Sequence, residues 1–269
     1  MDEPILTHED HECWEMWQRA ALVHSRSQRF ARKVDRAREV IANALDTADT
    51  WAAMWSGGKD STVMMHLLAE EGFRGPTYSE KDDLDYPGER EYVRRLGDAW
   101  GLDLHIIEPP VSLQRWVAEH AHDLRADEDF HGRAAALSKE HFYGLVEAAT
   151  ADMDGIFLGL RQEESKGRRM NRATRGALYR KADGQHVATP IVDWSGMDVM
   201  AYMASRDIEP LSVYRCIAFM HADEPWRVRK SWWIPGAATR WGGIAWLRRY
   251  YPSLYERLCM MLPDASLHG

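Results

Sequence analysis

Apolar positions between residues 8 and 47 recur at helical spacing. Trp14, Trp17 and Ala21 fall on one stripe, and Phe30, Val34, Ala37, Ile41 and Leu45 on another, with Arg, Glu and Gln largely between them. This predicts a helical N-terminal extension over 1–49. At residue 50 the pattern changes. Thr50 to Trp55 is a short apolar run with β-type residues at its ends, Ser56-Gly57-Gly58 follows, and Val63 to Leu68 reads as a helix stopped by Gly72. The rhythm continues with a strand over 76–79, a helix over 86–100 ended by Gly101, a strand over 102–107, a helix over 134–151 and a strand over 155–159. Ser195-Gly196-Met197-Asp198 has the capping-box pattern and opens a helix to about residue 205. Alternating strand and helix over 50–215 predicts an α/β fold, a mainly parallel sheet with helices on both faces. From Cys216 the rhythm fails. Residues 216–269 read as a C-terminal subdomain or lid, helical over 244–262 with Pro252 as an interruption.

Composition changes this picture little. The 269 residues are 45% hydrophobic and 28% charged, ordinary for a globular chain, which excludes a collagen-like, disordered or disulfide-built protein. No apolar run approaches the roughly 18 residues of a membrane span, so no membrane partner is expected. Met1-Asp2-Glu3-Pro4 lacks the charged start of a secretory signal, so a cytoplasmic location is expected. Cys13, Cys216 and Cys259 are widely spaced, without a C-x-x-C pair, so zinc-ribbon and iron-sulfur sites are not expected. His8, His11 and Cys13 cluster without a fourth ligand and read as surface residues rather than a metal site.

Charge is more informative by position. The formal charge is -8, which argues mildly against nucleic acid, but the acidity is not evenly spread. Residues 161–181 hold eight Lys/Arg against two Asp/Glu, and 215–257 eight against three. Trp226, Trp232, Trp233 and Trp241 interleave with Arg227, Arg229, Lys230 and Arg240. Such a Trp/Arg-rich stretch either covers a Trp-rich core or stacks bases, and the core reading is slightly favoured.

The most informative residues are Ser56-Gly57-Gly58-Lys59-Asp60-Ser61-Thr62, between a predicted strand and a predicted helix. Two glycines permit positive φ and close backbone approach. A helix start offers free N–H groups and the positive end of its dipole, and Lys59, Ser61 and Thr62 add a cation and two hydroxyls. Together they describe a cradle for phosphates. A Walker A loop is excluded, because Ala53 and Asp60 stand where it needs Gly and Ser or Thr.

The loop resembles the PP-loop of the N-type ATP pyrophosphatases, Ser-Gly-Gly-x-Asp-Ser. Within that superfamily the chain resembles the branch of phosphoadenosine phosphosulfate (PAPS) reductase and the small subunit of bacterial sulfate adenylyltransferase. Gly159-Leu160-Arg161-Gln162-Glu163-Glu164-Ser165, with Arg168 and Arg169, is similar to the branch's Gly-x-Arg-x-x-Glu-Ser motif. Pro190-Ile191-Val192-Asp193-Trp194 is similar to its Pro-Ile-x-Asp-Trp segment, and Tyr86-Pro87-Gly88-Glu89 to an aromatic-Pro stretch. The resemblance covers about 50–215 and implies an adenine nucleotide alpha hydrolase-like fold. Three departures qualify it. The reactive C-terminal cysteine of PAPS reductases is not matched, nor are the paired cysteines of iron-sulfur relatives. The usual aspartate after the second strand has only Lys81, Asp82, Asp83 and Asp85 around its place.

The resemblance implies ATP as substrate, attack on its α-phosphorus, release of pyrophosphate and an adenylylated acceptor. It implies Lys59, Asp60 and Arg161 as catalytic. Nucleotide binding falls to 56–62 with Gly159, Arg161, Glu164, Ser165, Arg168 and Arg169, and Asp60 is the candidate Mg²⁺ position. The acceptor is sulfate or a nucleic-acid group, since some relatives serve DNA sulfur modification and the basic C-terminal part is compatible with it. Two other readings compete: a nucleotide-binding coregulator without turnover, and a sulfonucleotide reductase using Cys216 or Cys259. The N-terminal helices are candidates for contact with a protein partner or a second copy.

Overall fold

The computed structural model describes residues 3–83, 85–112, 144–219 and 243–261, with residues 115, 119, 228 and 266. Helix α1 (His8–Ser25) starts at a full capping box between Thr7 and Asp10, and α2 (Gln28–Thr47) starts where the Ser27 side chain accepts from the N–H of Phe30. The α2 stripe that reaches the core is Phe30, Val34, Ala37, Ile41 and Ala44. Leu45, expected on it, is 36% exposed, because the stripe drifts by one residue over five turns.

Six strands form one sheet in the order β3-β2-β1-β4-β6-β5. These are β1 (Trp51–Met54), β2 (Pro76–Glu80), β3 (Asp103–Ile107), β4 (Gly155–Leu158), β5 (Leu178–Arg180) and β6 (His186–Ala188). All neighbours run parallel except β5 and β6. Helices α3 (Lys59–Glu70) and α4 (Glu89–Trp100) follow β1 and β2, α5 (Lys166–Arg175) lies between β4 and β5, and α6 (Gly196–Ser205) follows β6. The predicted parallel α/β sheet is therefore present. Helix α4 starts three residues later than predicted, because Tyr86-Pro87-Gly88 forms the turn before it and Gly88 is left-handed at φ 78°. The helix expected over 134–151 lies partly outside the described residues, and 144–149 are helical.

The chain moves outward on one side, from β1 to β2 to β3, and on the other passes from β4 to the edge strand β5 and returns to β6 beside β4. The order reverses between β1 and β4. In an open α/β sheet the crevice for a ligand lies at the carboxyl ends of the two strands flanking such a reversal.

The N-terminal helices dock on this domain in the same chain. One continuous buried cluster takes in Trp14 and Phe30, Met64 of α3, Trp194 and Tyr202 near and in α6, and Tyr250 and Leu254 in the last two helices. These are α7 (Gly243–Tyr250) and α8 (Pro252–Met261), with the break at Tyr251 and Pro252 as expected. Asp198, in the capping box of α6, also takes Lys33 and His24 (2.8 Å) of the extension. Met16 and Val23 of α1 stay exposed. Among the described residues no helix is long and apolar enough to cross a membrane.

Candidate phosphate site

The loop after β1 is fixed from beneath. Trp55 is buried, its indole N–H donates to the Thr62 hydroxyl (3.0 Å), and its ring stacks on Trp100. Thr62, expected at a ligand, is thereby turned inward. Gly57 has φ +80°, where a side chain would also press on Val93 at 3.1 Å. Below the loop, the ammonium of Lys81 donates to the carbonyls of Ser56 (3.2 Å) and Glu80 (3.0 Å) and to Glu89 (2.6 Å). Lys81 and Glu89 have no exposed side-chain surface, so this ion pair holds the loop backbone rather than a solvent ligand.

Helix α3 starts at Gly58 without a side-chain cap. The Ser61 hydroxyl donates to the carbonyl of Gly58 (3.0 Å) and lies 3.0 Å from the hydroxyl of Ser56. Among the described residues the N–H groups of Asp60 and Ser61 have no hydrogen-bond partner, and that of Lys59 donates to the hydroxyl of Tyr214 (3.1 Å). An uncapped helix start with open N–H groups attracts anions by its hydrogen bonds and its dipole.

The second wall comes from the end of β4. Gly159 runs so close to α3 that a Cβ there would sit 2.6 Å from the Cα of Ser61 and 2.8 Å from its nitrogen. Arg161 follows, 2% exposed. Its Nε donates to Asp60 (2.6 Å) and its Nη1 to Glu163 (3.3 Å), while Lys59 donates to the other Asp60 oxygen (2.9 Å). Burial raises the Asp60 carboxyl, but the two cations outweigh it and hold the group below the usual range. Lys59, Asp60 and Arg161, the three predicted catalytic residues, thus form one chain of charges across the β1–β4 reversal.

The remaining predicted residues stand further out. Glu164 accepts from the N–H of Arg161 (3.3 Å) and pairs with Arg168. The Ser165 side chain caps α5 by accepting from the N–H of Arg168 (3.1 Å). Arg169 is exposed on α5 and makes no contact with the loop among the described residues. Asp193 of the Pro-Ile-x-Asp-Trp segment takes Arg172 in two-pronged fashion (3.0 and 2.7 Å) and Gln162 (2.9 Å), locking α5 to the loop after β4. Sequence reading missed Tyr214, which lies 155 residues from its partner Lys59.

Among the described residues no three His, Cys, Asp or Glu side chains converge to hold a metal ion, the His8, His11 and Cys13 set included. Cys216 is fully buried, and burial followed by the nearby Asp10 pushes its thiol up, the reverse of what a nucleophile requires. Trp226, Trp232, Trp233 and Trp241 lie outside the described residues. Trp246 is buried against Tyr250 and Tyr251.

A glycine loop, an uncapped helix and a buried arginine meeting at the reversal of a parallel sheet define an α/β domain whose sheet edge carries the chemistry of a phosphate cradle. The family comparison agrees. The phosphoadenosine phosphosulfate reductase domain matches residues 50–217, more than half of the chain, and the chain belongs to that family, within the PP-loop ATP pyrophosphatase superfamily. Among individual relatives, sulfate adenylyltransferase subunit 2 of Streptomyces lavendulae is 28% identical over 71% of this chain and 62% of its own length. The protein of the same name from Aliivibrio fischeri is 25% identical over 65% of this chain and 63% of its own. The chain therefore spans just under two thirds of these relatives. The phosphate complex of phosphoadenylyl-sulfate (PAPS) reductase from Candida auris superposes with a TM-score of 0.50 at 15% identity, covering 69% of this chain and 89% of that one, a likeness of fold.

Proposed function

We propose that the chain binds ATP at loop 56–62 and cleaves it between the α- and β-phosphates, adenylylating an acceptor. The observation that carries this is the convergence of the open α3 N–H groups with Lys59, Asp60 and Arg161. In this reading an acceptor oxygen attacks the α-phosphorus, the bond from that phosphorus to the bridging oxygen breaks, and pyrophosphate leaves with the electron pair. Charge develops on the leaving group, and donors already fixed in place stabilise it without reorganising. The Ser61 and Asp60 N–H groups face the pyrophosphate, and Lys59 and Arg161 supply its counter-charge. Asp60 keeps the two cations from drifting apart.

Sulfate is the acceptor proposed, on the strength of the relatives named as sulfate adenylyltransferase subunit 2. That name also makes a protein partner part of the proposal. The relatives named for sulfate do not support the nucleic-acid acceptor expected from DNA sulfur modification and the basic C-terminal part, and Trp226, Trp232, Trp233 and Trp241 lie outside the described residues. Among the described residues no ligand set for Mg²⁺ converges, and both oxygens of Asp60 are bonded to cations. It would come with the nucleotide, bound chiefly by phosphate and water oxygens.

The test is to incubate the protein with ATP, Mg²⁺ and sulfate and to separate AMP, ADP, adenylyl sulfate and pyrophosphate, with Lys59→Ala as control. Pyrophosphate with adenylyl sulfate is expected from the wild type alone. ADP as the main product would sink the α-phosphate mechanism.

A further inference from the structure

One donor of the cradle is already engaged from outside the loop. The N–H of Lys59 is the first of α3, and at a phosphate-binding helix start such a group points at the anion. Here it donates to the phenol oxygen of Tyr214 at 3.1 Å, and the Lys59 ammonium lies over the same ring, 5.2 Å from its centroid. Tyr214 is 2% exposed. Burial, followed by the charge of Asp60, pushes its hydroxyl up, so it stays a neutral phenol whose oxygen accepts. A tyrosine oxygen therefore uses the same donor a phosphate oxygen would use.

The segment bearing Tyr214 is tied on its far side to both helical additions. Tyr214 sits on a single turn, Ser212–Arg215. Just beyond it, the buried carboxylate of Asp10 in α1 accepts from the N–H groups of Ile217 (3.0 Å) and Ala218 (2.8 Å) and from the Tyr250 hydroxyl (2.8 Å). The carbonyl of Cys216 accepts from the indole N–H of Trp246 (3.1 Å) in α7. Tyr214 cannot move far without loading those bonds.

We propose that Tyr214 competes with the pyrophosphate group of the nucleotide for the Lys59 N–H. The anion displaces the phenol, and the displacement passes through 212–218 to α1 and α7. The proposal rests on the reading of loop 56–62 as a phosphate site. It goes further in giving that site a resident competitor and a mechanical outlet. Binding then reports itself to α7 and to the surface of α1, where Met16 and Val23 remain exposed.

The experiment uses the full chain and inorganic pyrophosphate as probe, with affinity read by titration calorimetry. Tyr214→Phe keeps the ring under the ammonium but removes the oxygen that accepts from Lys59. The variant is expected to bind pyrophosphate roughly 3- to 10-fold tighter than wild type, the effect of losing one competing hydrogen bond. A purely structural role for the hydroxyl predicts equal or weaker binding, and either result overturns the proposal. If pyrophosphate binds neither protein, the phosphate-site reading itself fails and takes this one with it. Equal affinity in two folded proteins overturns the competition alone. Should Tyr214→Phe fail to fold, amide hydrogen exchange on the wild type decides. Saturating pyrophosphate is expected to speed exchange at Ile217 and Ala218 at least threefold, and slowed or unchanged exchange there overturns the proposal.

Discussion

Replacing Gly159 by alanine tests whether the end of β4 and the start of α3 form a single cradle. The new Cβ would fall 2.6 Å from the Cα of Ser61 and 2.8 Å from its nitrogen, backbone atoms that cannot rotate aside. Ordinary contact begins at 3.4 Å, so strand end and helix start must part by roughly 0.8 Å. Overpacking of this kind costs roughly 1–3 kcal/mol. The opening falls where the phosphate donors converge, and the added methyl also covers the N–H of Ser61. Misplacing a site by about 1 Å costs on the order of 100-fold in rate. Gly159→Ala should therefore melt several degrees lower in thermal unfolding and lose at least about 10-fold in calorimetric affinity for pyrophosphate. Gly88→Ala is the control. Its Cβ meets nothing within 4 Å, but its φ of +78° strains an L residue, so it should cost about 1 kcal/mol of stability and leave affinity unchanged. Affinity within twofold of wild type in Gly159→Ala would refute the single cradle.

Arg161→Lys should lower pyrophosphate release from ATP by about 100-fold, since one ammonium on a shorter stem cannot serve both Asp60 and Glu163; near-normal release would remove Arg161 from the chemistry. Burial raises the Asp198 carboxyl, but bonds from Lys33, His24 and Ser195 outweigh it and hold the group at about 2. A carboxyl lowered in the folded state stabilises fully above its unfolded pKa and loses that contribution as pH falls through the folded one. Asp198→Asn should thus cost about 2 kcal/mol in urea unfolding at neutral pH, with the gap narrowing below about pH 4; a gap independent of pH contradicts the assignment. Cys216→Ala should keep ATP cleavage within about twofold while losing on the order of 1 kcal/mol of stability from the small cavity. Loss of cleavage in a folded variant would reopen a chemical role for that thiol.

What the sequence revealed follows from how local each cause is. The capping box at Ser195 and Asp198 was legible because its partners lie three residues apart. The α2 stripe was legible because five buried positions repeat. Strands β5 and β6 went unread: each has three residues, too few for a period, and their pairing with each other and with β4 stabilises them. Helix α5 was read only as a basic run, since it buries no residue and shows no apolar face. Its Ser165 cap and the Asp193–Arg172 pair fix it from outside. At the site, Lys59, Asp60 and Arg161 were visible through their motifs. Lys81 and Glu89 were not legible as a pair, because Lys81 stood only among the residues around the place of an unmatched aspartate, and only burial shows the loop resting on this pair.

The charge balance of the cradle explains why its added helices matter. Lys59 and Arg161 are already paired with Asp60 and Glu163, so the counter-charge they offer a pyrophosphate is partly offset before it arrives. The oriented N–H groups of α3 add to that attraction, and their strength depends on where they point. Pointing is set from two sides. Lys81 holds the loop carbonyl of Ser56, and Tyr214 holds the first N–H of the helix. Tyr214 is in turn placed by a turn whose next residues bond Asp10 of α1 and Trp246 of α7. The Asp10 carboxyl is raised by burial, but bonds from Thr7, Ala218 and Tyr250 outweigh this and keep it ionised. A single buried carboxylate thus joins the N-terminal extension, the C-terminal helices and the segment that touches the phosphate loop. Geometry at Lys59 is then a property of all three parts of the chain, and a change at α1 or α7 reaches the site without a new contact to the ligand.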